Sequence, residues 1–140
     1  MRFNDALRNR QSQSCAALFA VTDERLEESL ADLNARMATP IPMNRFRPNI
    51  VVCGGVPYEE DIWKALAIGE GETTLRWIKP CTRCVATTTD QETGERANRE
   101  PLYTLTRYRR LGNAVVFGHY LVAETWGEWL RVGDQVTVLE

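Results

Sequence analysis

Leu26, Leu30, Leu33 and Met37 recur at spacings of four, three and four, the apolar stripe of a helix with about 3.6 residues per turn. The stripe predicts an amphipathic helix over 23–37. Thr22 stands where it can cap the first turn, Asp23 and Glu24 suit the positive end of the dipole, and Pro40 and Pro42 stop it. A short apolar run at 16–22 precedes it and reads as a buried strand. Beyond residue 49 the stripe gives way to short runs of Val, Thr, Ile and aromatic residues. Residues 49–53, 75–79, 84–89, 115–125 and 135–139 read as strands. Gly54-Gly55, 90–94 and 132–134 read as turns, and Pro101 starts a short second helix, about 100–110, through Leu102, Leu105 and Tyr108. Residues 1–14 are polar and without a period, an irregular arm. The expectation is one mainly β, barrel-like domain over 15–140, with the long helix packed on the sheet and Trp63 and Trp77 in the core.

Composition narrows the class. A chain of 140 residues with 44% apolar and 26% charged positions is an ordinary globular one, long enough to bury a core without disulfides. The longest apolar run, 16–21, is far short of the roughly 18 residues that span a bilayer. No basic stretch followed by an apolar one opens the chain, so the expected place is the cytoplasm, with no membrane partner. Seventeen Lys/Arg against nineteen Asp/Glu leave a net charge of −2, which disfavours general nucleic-acid binding. Lys64 and Lys79 are the only lysines; the other basic residues are arginines, whose planar fork suits phosphate and carboxylate.

The sharpest local feature is Cys81-Thr-Arg-Cys84. A thioredoxin-like pair would open a helix in a βαβ unit, whereas Val85-Ala-Thr-Thr-Thr89 favours strand. A structural zinc site needs two further ligands, and only His119, Cys15 and Cys53 could supply them. A third reading makes one thiol a soft metal ligand or nucleophile, with the Arg83 cation beside Cys84. Two small half-buried residues at a strand entrance are the plain alternative. All four cysteines are expected as free thiols in a reducing compartment. Pro48 biases Arg47 towards extended geometry, so Arg45 and Arg47 should point the same way, with the Asn49 amide nearby, as an anion or heterocycle site or as a solvated strand entry. Glu59-Glu60-Asp61 can be paired carboxylates, though a solvated loop or cap before Trp63 is the better reading. His119 reads as packing, with Tyr120 on the opposite side of the sheet, and Arg107, Arg109 and Arg110 as a solvated face.

Taken in order, Ser29-Leu-Ala-Asp-Leu-Asn34, Arg45-Phe-Arg-Pro-Asn-Ile-Val-Val52, Tyr58-Glu-Glu-Asp-Ile-Trp63, Cys81-Thr-Arg-Cys84 with Thr87-Thr88, Glu100-Pro-Leu102, Phe117-Gly-His-Tyr120 and Val132-Gly-Asp134 resemble the MOSC domain. That family is named from the C-terminal domain of molybdenum cofactor sulfurases and includes the mitochondrial amidoxime-reducing components and many bacterial relatives. The resemblance implies a β-barrel-like fold and binding of the molybdenum cofactor, a pterin dithiolene (molybdopterin). It implies Cys84 as the molybdenum ligand and reactive centre. It further implies Arg47, Asn49, Thr82, Arg83 and Tyr120 as cofactor contacts. The segment resembles the C-terminal part of the family, so the upstream region that serves the cofactor phosphate is expected from elsewhere. No pyridoxal-phosphate site is evident.

The resemblance thus implies a small bacterial-type domain performing redox or sulfur-transfer chemistry at molybdenum. The rivals are a non-enzymatic binding or carrier module completed by a partner chain, which would supply the missing half-site or electrons, and a zinc- or disulfide-stabilised β domain.

Overall fold

The computed structural model describes residues 28–69, 73–125 and 129–139. The expected arm over 1–14, the strand over 16–22 and the start of the long helix lie outside them. Helix α1 spans Glu28–Ala35 and buries Leu30 and Leu33, as the stripe requires. In its last turn, Asn34 ties down the loop that follows by donating to the Ile41 carbonyl at 3.0 Å and accepting from the Ile41 N–H at 2.9 Å. Single 3₁₀ turns follow at Met43–Phe46 and Glu59–Asp61. Five strands then alternate with connections: β1 Ala65–Ile68, β2 Thr73–Arg83, β3 Arg110–Leu111, β4 Ala114–Thr125 and β5 Val136–Val138. A third 3₁₀ turn, Val85–Thr88, and helix α2, Leu102–Tyr108, lie between β2 and β3.

The strands form one antiparallel sheet in the order β3-β4-β2-β1-β5. The mainly β expectation holds, but the barrel does not. Among the described residues the sheet is open, because its edges are the two shortest strands and they do not pair with each other. The long β2–β4 ladder shifts register on either side of Pro80, which has no N–H to give, and opposite Gly118 at φ 74°.

Two clusters fill the interior. Leu30, Leu33, Ile41, Phe46, Val51, Leu105 and Phe117 lock both helices onto one half of the sheet. Leu66, Ile68 and Leu75 fill the other half, with Trp63, Ile50, Val52 and Leu121 against them. Trp63 and Trp77 are half-buried, at the core margin and not in its centre.

Two strand expectations are corrected. Over 49–53 only Val51 makes a bridge. The alternation is real, since Val51 enters one cluster while Ile50 and Val52 face the other, but it serves two cores and not a ladder. Within 84–89, Val85–Thr88 form a 3₁₀ turn because the Thr87 and Thr88 hydroxyls donate back to the Cys84 and Val85 carbonyls at 3.0 and 2.6 Å.

Candidate functional site

The site is organised by Arg83, the last residue of β2. Its Nε donates to the Phe117 carbonyl on β4 at 2.7 Å, and its Nη1 donates to the Phe46 carbonyl at 3.1 Å. The guanidinium lies over the Phe46 ring, which stacks on Phe117 with centroids 4.3 Å apart. One side chain thus ties the 43–46 turn to the central strands. Its Nη2 is buried and has no hydrogen-bond partner among the described residues, as is also true of Arg45 Nε and Arg109 Nε. Burial draws the pKa down to about 10, against the nearby Tyr120 and Cys84, which pull it up. Arg83 therefore remains a cation at neutral pH, with one buried NH2 group left to satisfy. A buried donor in this state costs about 1–3 kcal/mol until an acceptor reaches it.

Cys84 follows directly and is an exposed free thiol. Its carbonyl accepts from both the N–H and the hydroxyl of Thr87, at 3.1 and 3.0 Å, so the residue is held on the 3₁₀ turn that it caps and does not begin a strand. Tyr120 is half-buried on β4 and close enough to Arg83 to act on its charge, while the adjacent His119 is buried. Thr82 is exposed beside Arg83, and Asn49 is exposed in the 43–53 segment; among the described residues neither side chain is hydrogen-bonded into the group. Arg47 adjoins the group through Phe46.

The expected geometry of Arg47 is corrected. It sits at φ 52° and ψ 51°, left-handed and not extended, because it closes the 43–46 turn with its N–H on the Asn44 carbonyl. Arg45 and Arg47 consequently part. The side chain of Arg45 is buried against Asp90, with Nη2 3.4 Å from Oδ2, whereas Arg47 is exposed.

The cysteines also depart from four free thiols. Cys81 is fully buried and disulfide-bonded, while Cys53 and Cys84 are not in disulfides. Cys81 and Cys84 do not suit one another, since three steps of extended chain span about 10 Å and a disulfide needs Cα atoms within roughly 7 Å. Among the described residues no group of three His, Cys, Asp or Glu could hold a metal ion, and an engaged Cys81 removes one ligand from the zinc reading. The donor set fits another arrangement: one exposed soft sulfur beside a buried, unsatisfied guanidinium N–H, suited to a metal that brings its own multidentate anionic ligand.

A second polar constellation was missed. Trp77 Nε1 donates to His119 Nδ1 at 2.8 Å, so Nε2 carries the proton and donates to Asp61 at 3.0 Å. Asp61 also takes both ends of the Arg109 fork, at 2.6 and 2.9 Å. Arg109, expected on a solvated face, is therefore buried in an ion pair. Glu60, expected in a solvated loop, is 7% exposed and accepts from the Ser29 hydroxyl at 2.8 Å. The one legible signal was three adjacent acids ending one residue before an Ile-Trp pair.

Burial raises the Glu60 pKa, and the Ser29 hydrogen bond only partly opposes it. Between the ordinary carboxyl value and the raised one the folded state holds more protons than the unfolded, so Glu60 erodes stability as pH rises through that window. Glu60→Gln should gain about 1 kcal/mol at neutral pH and flatten that slope, as urea unfolding at acidic and neutral pH would measure. A loss of stability at neutral pH would contradict it.

The chain belongs to the MOSC domain family, which matches residues 10–137. It is 37% identical to human mitochondrial amidoxime-reducing component 1 over 99% of its own length and 46% of that protein. It is 44% identical to bovine mitochondrial amidoxime reducing component 2, over 79% of the chain and 34% of the relative, and 39% identical to rice molybdenum cofactor sulfurase, over 79% and 15%. The chain thus spans less than half the length of these relatives. They are eukaryotic, which does not support the bacterial setting, and the cytoplasmic expectation is overturned by the mitochondrial components among them.

Proposed function

We propose that the chain binds the molybdenum cofactor through the Arg83–Cys84–Tyr120 face and forms the redox centre of a reductase for N-oxygenated substrates such as amidoximes, in a mitochondrial setting. The observation that carries this reading is Arg83, whose buried Nη2 lacks an acceptor among the described residues, next to an exposed thiol. When bound, the cofactor supplies two-electron chemistry at molybdenum. Cys84 gives its sulfur as the soft protein ligand. Arg83 keeps Nε and Nη1 on the protein and offers Nη2 to an acceptor of the cofactor, which orients that ligand relative to the sulfur. Arg47 and Asn49 add a guanidinium and an amide, Thr82 a hydroxyl and Tyr120 a phenol. Reduction consumes two electrons and two protons and releases water, with the electrons drawn from a protein donor.

A second reading, a binding or carrier module completed by a partner, is favoured by one observation. Arg47, Asn49, Thr82 and Cys84 are all exposed, as a half-site awaiting a partner would leave them.

The test is metal and pterin analysis of protein purified from a host that makes the cofactor. Molybdenum near one per chain is expected for the reductase reading. Arg83→Lys should retain about tenfold less, because an ammonium cannot hold two carbonyls and a third acceptor in one plane. Zinc in place of molybdenum would overturn both readings, and absence of both metals would favour the carrier module.

A further inference from the structure

The β2–β4 ladder loses its regular register between Trp77 and Lys79 and again between Pro80 and Thr82. Pro80, opposite His119, has no N–H to give, and Gly118 at φ 74° sits where glycine turns the chain at little cost. This loosely laddered stretch of β4 carries two groups of the proposed site. They are the Phe117 carbonyl, which accepts from Arg83 Nε, and Tyr120, close to the same guanidinium. Where ladder bonds are interrupted, side chains must hold the backbone in their place. On one side of Gly118 the hold is Arg83 itself. On the other it is His119, 4% exposed, whose ring is fixed at both nitrogens. Trp77 Nε1 on β2 donates to Nδ1 at 2.8 Å, and Nε2 meets Asp61 of the 59–61 turn at 3.0 Å. The Arg109 fork in turn anchors Asp61. A ring bound at both nitrogens cannot rotate or slide without stranding a buried polar group.

We propose that His119 is a positioning residue for this site: its bonds to Trp77 and Asp61 fix the course of β4 at Gly118, and so aim the Phe117 carbonyl at Arg83. His119 touches neither metal nor substrate in this role and acts only through the Arg83 guanidinium. The inference rests on the proposed cofactor site for what is being positioned. The coupling from His119 to Arg83 belongs to the chain itself and can be read without cofactor.

The readout is the Nε–H signal of Arg83 in ¹⁵N NMR of the cofactor-free chain, assigned by its loss in Arg83→Lys. Held on the Phe117 carbonyl at 2.7 Å, this proton should exchange slowly with water. His119→Phe keeps a ring of similar size and removes both hydrogen bonds. It should shift the Arg83 signal and speed its exchange about tenfold. His119→Gln, whose amide can still donate to Asp61, should restore part of the protection. Ile68→Ala, a truncation in the second core cluster, is the control for stability alone and should leave the Arg83 signal in place. An Arg83 signal unmoved in His119→Phe, or moved equally in Ile68→Ala, overturns the proposal. In a chain that carries molybdenum, His119→Phe should retain about tenfold less, the lower end of what a group outside the metal's ligand shell costs. Unchanged retention there also overturns it. If the parent chain carries no molybdenum but its Arg83 signal depends on His119, the reductase reading fails and the coupling stands.

Discussion

Cys84→Ser protein from a cofactor-making host is expected to carry only background molybdenum and to lose reductase activity by at least about a hundredfold, the upper end of what lesser perturbations outside a metal's ligand shell cost. A serine oxygen is a harder donor and cannot replace the sulfur, while the surrounding turn is unaffected because Thr87 grips the Cys84 backbone and not its side chain. Cys84 is exposed, so the melting temperature should hardly move. Cys53→Ser, at the half-buried cysteine of the 43–53 segment, serves as the control and should retain the metal. Full molybdenum content in Cys84→Ser, or its loss in Cys53→Ser alone, would place the ligand elsewhere.

Asp61→Ala is expected to be the most destabilising substitution of a single polar residue. It strips the acceptor from a guanidinium that is 13% exposed and from the Nε2–H of a buried histidine. Breaking a buried pair costs about 3–5 kcal/mol, and because water reaches a third of the Asp61 side chain, about 2–3 kcal/mol is the better figure here. That corresponds to a fall in melting temperature of roughly 6–12 °C. Burial pushes the Asp61 carboxyl up, but the bonds and charges of Arg109 and His119 outweigh it and hold the pKa well below the usual value. The folded state therefore binds this proton less readily than the unfolded. The resulting stability is present above the ordinary carboxyl value and is lost as pH falls below it. Asp61→Ala should lack that acid-sensitive part, and Arg109→Met in the same chain should recover some stability by removing the stranded charge. Denaturant unfolding near neutrality and in acid would decide it. A variant as stable as the parent would mean that the network is held by something other than charge.

Helix α1 and strands β2 and β4 were legible because their evidence is local. Leu30 and Leu33 repeat at helical spacing, and long runs of β-branched and aromatic residues need no distant partner to declare themselves. The Cys-x-x-Cys segment and the Arg-Pro-Asn segment could be selected by residue type, and the resemblance they carried led to the right family. Strand β1 was not read, because four residues of Ala, Leu and Ile carry no period that separates strand from helix. The Thr-rich segment after Cys84 was read from its β propensity, and the hydroxyls turned it into a 3₁₀ cap.

By itself, the sequence determined the family, the mainly β class, the helix that covers the first core and the residue types available for a soft-metal site. Only the tertiary structure decided how those residues act. Arg47 turned left-handed and left Arg45 to Asp90, Cys81 proved engaged, the sheet stayed open, and Arg83 became the bolt between Phe46 and Phe117. It also built the Trp77–His119–Asp61–Arg109 chain from residues as far as 58 positions apart. The physical reason is range: a hydrophobic period or a cap is written within a few residues, whereas a buried charge finds its partner only when distant segments are brought into one low-dielectric space.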